Sequence, residues 1–246
     1  LPDLQTVVPN AAKGYEYSED YKKCTIFLRE GMKWSDGHPF TADDFVFWYE
    51  DVLLNEDLTP AIPAWAKPGG EVFRVRKVDD YKVEFSFSTP YPMFIYRLTR
   101  DQGEALIGGC YLPKHYLQQF HIKYNPRADE VAKEKGFLSW YDAFAEVANT
   151  RHSLNSVGAP TIEPWVITQA TTEYAILERN PYYWKIDTEG NQLPYIDKIK
   201  VLAAGDRELW NLKAVSGEMD FGLIRASLKD YTLLKENEGK GNYTVN

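Results

Sequence analysis

Apolar and polar side chains alternate through residues 23–29. Ile26 and Leu28 face one way while Thr25, Phe27 and Arg29 face the other, the period of a strand. Asp36-Gly37 then supplies turn chemistry, because glycine takes positive φ freely and an aspartate side chain bonds nearby amides. Beyond it the period changes. Phe45, Trp48, Tyr49, Val52 and Leu53 recur at helical spacing behind Thr41 as an N-cap, with Asp43 and Asp44 in the first turn, where carboxylates favour the exposed amides. This predicts a helix over 41–54.

The same reading continues along the chain. Two alternating runs, 71–78 and 81–88, meet at Asp79-Asp80 and predict an antiparallel strand pair with one wet face. A short helix over 111–120 starts near Pro113, a residue tolerated in a first turn. A second covers about 138–150, with Trp140, Phe144 and Val147 on one face. A strand or strand pair follows at 164–179 and another strand at 198–204. A helix at 206–216, with Leu209, Leu212 and Lys213 in its middle, stops at Gly217, the expected residue after a helix end. A last helix spans 227–236. Residues 1–20 read as an irregular lead-in, with Tyr15 and Tyr17 docking on the next strand and Glu16, Glu19 and Asp20 as a solvated acidic face. Residues 55–70 read as a Pro- and Gly-rich loop around Trp65, and 121–136 as a polar stretch. Periodicity breaks at Asn155-Ser156-Val157-Gly158-Ala159-Pro160, which places a boundary near 158. The mixture of antiparallel strands and helices predicts an α+β fold.

Composition narrows the classes. A net charge of −8 argues against nucleic acid, which needs clustered Lys and Arg. There is no run of about 18 apolar residues to span a membrane. The start Leu1-Pro2-Asp3 reads as the edge of an excised segment, so the lack of a leader says little. Aromatic residues make up 15% of the chain, enough both to build a large core and to line a cleft for amphipathic ligands. Cys24 and Cys110 lie in no metal-like spacing; buried thiols and a disulfide both fit them.

Candidate chemistry is sparse. His38, His115, His121 and His152 show no metal-binding spacing and read as surface or turn residues, so no metal is expected. Ser35 lacks the glycine flanks of a hydrolase nucleophile. Asp43 and Asp44 point about 100° apart on a helix, which suits capping better than catalysis. Gly69-Gly70 and Gly108-Gly109 lack the Lys-Ser/Thr of a nucleotide loop, so no cofactor is expected.

The run Phe27-Leu28-Arg29, Gly31, Lys33-Trp34-Ser35-Asp36-Gly37, Pro39, Thr41-Ala42-Asp43-Asp44-Phe45 resembles the signature of the family 5 extracellular solute-binding proteins, the oligopeptide and dipeptide receptors of bacterial ABC importers. Further blocks follow in family order: Asp79-Asp80-Tyr81 with Thr89-Pro90-Tyr91-Pro92, Leu112-Pro113-Lys114-His115-Tyr116, Glu178-Arg179-Asn180-Pro181-Tyr182-Tyr183-Trp184, and Gly217-Glu218-Met219-Asp220-Phe221 as a strand. The resemblance implies a type II (cluster C) periplasmic-binding-protein-like fold. It implies lobe II over 1–158 and the middle of lobe I over 159–246, with the start of lobe I and all of lobe III absent from a chain about half as long as a full member. It also implies a monomeric receptor without catalytic activity, located in the periplasm or outside the cell and membrane-associated, lipid-anchored in the full-length protein. Its partners would be a peptide or oligosaccharide ligand and the permease subunits.

Ligand would sit in an inter-lobe cleft. The loop carrying Ala61, Ile62 and Trp65 would reach it, as would the strand exit Phe221, Gly222, Leu223 and Arg225, with Trp65 stacking on ligand or anchoring its loop and Arg225 pairing with a carboxylate or donating to hydroxyls. Trp34, Trp48, Trp165 and Trp184 are expected to be structural. One departure bears on the ligand. Ala159-Pro160-Thr161-Ile162-Glu163-Pro164-Trp165 stands where most members carry Gly-Thr-Gly-Pro-Tyr/Phe. Together with Gly190-Asn191-Gln192-Leu193-Pro194-Tyr195-Ile196-Asp197, it looks like a branch that includes oligosaccharide as well as peptide receptors. Two rival readings are a secreted carbohydrate-active enzyme, which needs two carboxylates roughly 5–10 Å apart across a cleft, and a ligand sensor of the same fold without transport.

Overall fold

A four-stranded antiparallel sheet in the order β1-β2-β4-β3 organises the first part of the chain: β1 (Ala12–Tyr17), β2 (Lys23–Leu28), β3 (Arg74–Asp79) and β4 (Lys82–Ser86). The computed structural model describes residues 7–100, 109–149, 156–203, 205–221 and 227–245, with backbone alone at 99 and 100. Cys24, Ile26 and Leu28 of β2 are buried, as the alternation predicts. Ile26 lies opposite Tyr15 on one side and Val83 on the other. Both rim strands carry irregularities, between Ala12 and Gly14 in β1 and between Lys77 and Asp79 in β3.

Strand β1 corrects the expectation of an irregular lead-in. None of its residues is fully buried, so hydrophobic periodicity is weak there; the ladder to β2 and the Tyr17 hydroxyl hold it. That hydroxyl donates to the Pro92 carbonyl at 3.1 Å and accepts from the Ile95 amide at 3.1 Å. It thereby fastens β1 to the start of α2 (Phe94–Arg100), a helix the pattern did not announce.

The helix predicted over 41–54 divides in two. α1 (Ala42–Phe47) is capped by Thr41, and a π-helical turn, Trp48–Leu53, continues it. Donors from outside take two of its last carbonyls. His121 Nε2 takes the Asp51 carbonyl at 2.9 Å and Thr59 Oγ1 takes the Val52 carbonyl at 2.7 Å, while the Leu54 amide reaches back five residues to Tyr49. Beneath these elements lies an aromatic core centred on Phe73. Its ring has centroids of Trp48, Tyr49, Trp65, Phe85, Phe87 and Phe94 between 5.7 and 6.5 Å away.

Three more helices complete this region. α3 (Lys114–Leu117) runs into a 3-10 turn, Gln118–Phe120. α4 (Ala128–Glu134) lies in the stretch read as merely polar, because only Ala128 and Ala132 of it are buried and small side chains leave little periodic signal. α5 (Trp140–Ala148) is capped by Ser139 and buries Trp140, Phe144 and Val147, as predicted. The Trp140 amide donates to Asp129 at 2.9 Å, joining α5 to α4.

A second sheet has the order β5-β6-β7: β5 (Trp165–Ala170), β6 (Tyr174–Arg179) and β7 (Lys198–Leu202). The chain falls into two compact units, residues 1–170 with 176–199, and residues 171–175 with 200–246. The smaller holds α6 (Arg207–Val215), a 3-10 turn (Leu228–Asp230), α7 (Tyr231–Glu236) and α8 (Glu238–Gly241). Asp206 caps α6, and Trp210, Ala214 and Leu234 form its core. Gly217, at φ +77°, ends the helix as expected; a Cβ there would also meet the Gly241 carbonyl at 3.0 Å. Residues 218–221, expected as a strand, are irregular, since no neighbouring strand pairs with them among the described residues.

Replacing Phe73 by Ala removes the centre of the aromatic core. The expected loss is about 3–5 kcal/mol of unfolding free energy, measured by urea denaturation.

Candidate ligand-binding site

The signature block is a knot of hydrogen bonds. Within the turn, the Trp34 amide donates to the His38 carbonyl at 2.8 Å, and Gly37, at φ +89°, returns its amide to Trp34 at 2.9 Å. Asp36 Oδ1 accepts from the His38 amide at 3.0 Å. The buried Asp44 carboxylate gathers three N–H donors from three places: the Thr41 amide at 3.0 Å, the Trp34 indole at 3.1 Å and the Lys114 amide at 3.4 Å. Capping is therefore the role of this aspartate, whereas Asp43 lies outside and pairs with Lys77. Burial pushes the Asp44 carboxyl up to about 6, against the pull of those donors and of His38.

The turn also binds the second half of this unit. Ser35 and Thr161 exchange bonds, amide to carbonyl at 2.9 Å and amide to Oγ at 3.1 Å. Fully buried Asn180 gives its side-chain amide to the Glu163 carbonyl at 2.9 Å and the Thr161 carbonyl at 3.4 Å, and accepts from the Tyr182 amide at 2.9 Å. Cation–π contacts of Arg29 with Trp184 (4.8 Å) and Lys33 with Tyr182 (5.2 Å) close the joint. Two of the most recognisable blocks of the sequence thus hold each other.

The loop expected to meet ligand is itself well supported. Asn55 accepts from the Asp57 and Leu58 amides, and the Phe73 amide donates to the Ala66 carbonyl at 3.0 Å. Ala61 is exposed and Ile62 half-buried. Trp65, also half-buried, lays its ring 5.7 Å from that of Phe73, so its inner face anchors the loop. Phe221 is 82% exposed on the smaller unit; Gly222, Leu223 and Arg225 lie outside the described residues.

Other sequence readings sort themselves. Trp34 and Trp48 are buried, Trp184 packs on the core, and the Trp165 indole donates to the Ile196 carbonyl at 3.0 Å. No disulfide joins Cys24 and Cys110; both are buried, and burial pushes the Cys24 thiol up to about 12. His121 corrects the surface reading of the histidines. Only 1% exposed, it donates from Nε2 to Asp51 and accepts at Nδ1 from the Lys123 amide, and burial lowers its pKa. Lys123 and Tyr124 both bond the buried Asp51 carboxylate, and burial, reinforced by that bond, pushes the Tyr124 hydroxyl up to about 12. This polar cluster spans residues 51 to 124, a separation that local spacing could not reveal. In the loop after β6, exposed Asp187 accepts from the Asn191 side chain, the Tyr195 hydroxyl and two amides, which hold its carboxyl well below the usual range. Among the described residues there is no group of three or more His, Cys, Asp or Glu able to hold a metal, and no helix long and apolar enough to cross a membrane.

These features define the class: the mixed α/β architecture of a type II periplasmic binding protein, in part. The oligopeptide-binding protein OppA superposes with a TM-score of 0.82 at 38% identity, covering 97% of this chain and 37% of that one. MelB from Agrobacterium fabrum C58, solved with stachyose, gives 0.72 at 29% identity, over 96% of this chain and 32% of that one. The chain belongs to the bacterial extracellular solute-binding proteins, family 5 Middle, whose family model matches residues 6–246. The periplasmic alpha-galactoside-binding protein of Rhizobium meliloti is 34% identical over 87% of this chain and 28% of its own length. The periplasmic oligopeptide-binding protein OppA of Salmonella typhimurium is 28% identical over 76% of this chain and 31% of its own. The chain thus spans about a third of the length of these curated relatives.

Asp44 generates a pH prediction with a definite sign. Folded Asp44 keeps its proton up to about 6 and an ordinary aspartate only to 3.8, so the folded state binds more protons in that window and stability falls as pH rises through it. Asp44→Asn should abolish this component, about 3 kcal/mol at most. The readout is the difference between wild-type and variant unfolding free energies, followed from below 3.8 to above 6.

Proposed function

We propose that this chain is the central part of the solute-binding component of an ABC importer, which captures oligopeptides or oligosaccharides in an inter-lobe cleft and delivers them to the permease. The observation that carries the reading is the family match over residues 6–246, reinforced by signature blocks that knit into one joint. We assign residues 1–158 to lobe II and 159–246 to the middle of lobe I. The start of lobe I and all of lobe III would lie in chain beyond this sequence. The mature protein is proposed to work as a monomer, in the periplasm or at the cell exterior, associated with the membrane. The full-length protein is lipid-anchored in this reading.

No catalysis is assigned. The relatives are binding proteins, and the carboxylates buried among the described residues have structural employment: Asp44 in the cap, Asp51 with Lys123 and Tyr124, and Glu84 with Arg76 and Lys23. Binding needs only a pre-formed surface with a few polar groups and aromatic faces. Trp65 supplies one such face. Its inner side rests on Phe73, so ligand stacked on the other side would meet a ring whose rotamer entropy is already spent. Ala61, Ile62, Phe221, Gly222, Leu223 and Arg225 complete the proposed contact set.

Ligand class is the second question. The resemblance to an alpha-galactoside-binding protein and to a structure holding stachyose favours an oligosaccharide as an alternative to the peptides bound by OppA-type relatives. Isothermal titration of the complete protein against peptide and alpha-galactoside panels decides. Binding with a Kd of about 1 μM or tighter is expected for one class, and no heat from either would refute the reading. Trp65→Ala should weaken that binding by about tenfold. Unchanged affinity with a lower Tm would leave Trp65 as a loop anchor only.

A further inference from the structure

His38 and His115 come from different elements, the signature turn and α3, yet their rings lie 6° from parallel with centroids 3.8 Å apart. His115 Nε2 stands 2.7 Å from Asp36 Oδ2. A carboxylate only accepts, so Nε2 carries the proton and Nδ1 is left as the bare nitrogen. That Nδ1 is buried and has no hydrogen-bond partner. His38, which is exposed, uses its own Nδ1 to donate to the Pro39 carbonyl at 3.1 Å.

The groups around the pair can be named element by element. The turn contributes Asp36, α1 contributes Asp44, which feels the charge of His38, and α3 contributes Lys114 beside His115. The neutral Trp34 ring lies 6.3 Å from that of His115. A proton added to His115 would sit on Nδ1. It would make a buried N–H aimed at no acceptor, on a ring stacked face to face against a second imidazole. Asp36 offsets part of this cost through Nε2, but its bond there already exists in the neutral form.

We propose that the His38–His115 stack is an acid-released clasp between α3 and the signature turn, closed while the His115 ring is neutral and opened by its protonation. Burial, aided by the charge of His38 and opposed by Asp36, keeps His115 below the ordinary 6.5. The closed form therefore binds fewer protons than the open one, so the clasp is fully present above 6.5 and is lost as pH falls below it. Opening also withdraws the Lys114 amide from Asp44.

The test is an NMR titration of the histidine rings in this chain from about pH 8 to about pH 5, with hydrogen exchange of the Tyr116 and Leu117 amides, which close α3 on the Pro113 carbonyl. The expected result is a His115 midpoint below 6.5, with α3 opening rising severalfold on acidification after correction for intrinsic exchange. His38→Gln changes only an exposed ring; it should raise the His115 midpoint and blunt the rise in opening. The proposal is overturned if His115 titrates at or above 6.5, or if His38→Gln leaves both the midpoint and the α3 response unchanged.

Discussion

The Asp44 carboxylate is the point through which the first unit is assembled. It caps α1 through Thr41, receives the indole of the signature tryptophan and takes the leading amide of α3. A charge in that position faces a desolvation cost that His38 offsets only in part, and the three converging N–H groups are what make it tolerable. Remove the acceptor and three buried or half-buried donors lose their partner at once. The turn, the helix and α3 are therefore not separate elements that happen to touch; they share one acceptor.

The same economy explains why the most recognisable residues of the chain are not the ones expected to meet ligand. Trp34, Ser35, Asp36, Asn180 and Tyr182 join residues distant in sequence across the unit. If the chain serves the proposed receptor, fixed internal joints of this type would let a body move without deforming as it closes on a solute. In the proposed receptor, specificity would belong to more exposed positions such as the rim of the 55–70 loop, where a side chain can change without cost to the fold.

Elements with one strong wet-dry contrast were readable from the chain. β2 alternates cleanly, α5 presents Trp140, Phe144 and Val147 on one face, and Gly217 stops α6. Elements held by backbone or by remote side chains were not. β1 exists because β2 offers it a ladder and because Tyr17 reaches the turn before α2. The end of the π-helical turn is fastened by His121 and Thr59, which take two of its carbonyls. Neither set of contacts is local, so neither leaves a periodic trace. Of the candidate site, Trp65 was legible as an isolated aromatic in a loop, but its partner Phe73 was not. The Asp51 cluster and the paired histidines, with partners 70 or more residues apart, needed the fold before they could be seen at all.

The irregularities in the two rim strands have a further consequence. β1 is distorted at Gly14, and β3 sets Arg74, Arg76 and Lys77 along its length before its own distortion ahead of Asp79. Unpaired backbone on a straight, uncharged rim would invite a second molecule to add its own strand, the first step toward insoluble fibres. Here one margin is bent and the other is bent and lined with charged, ion-paired side chains, so the sheet refuses to grow sideways when many copies crowd together.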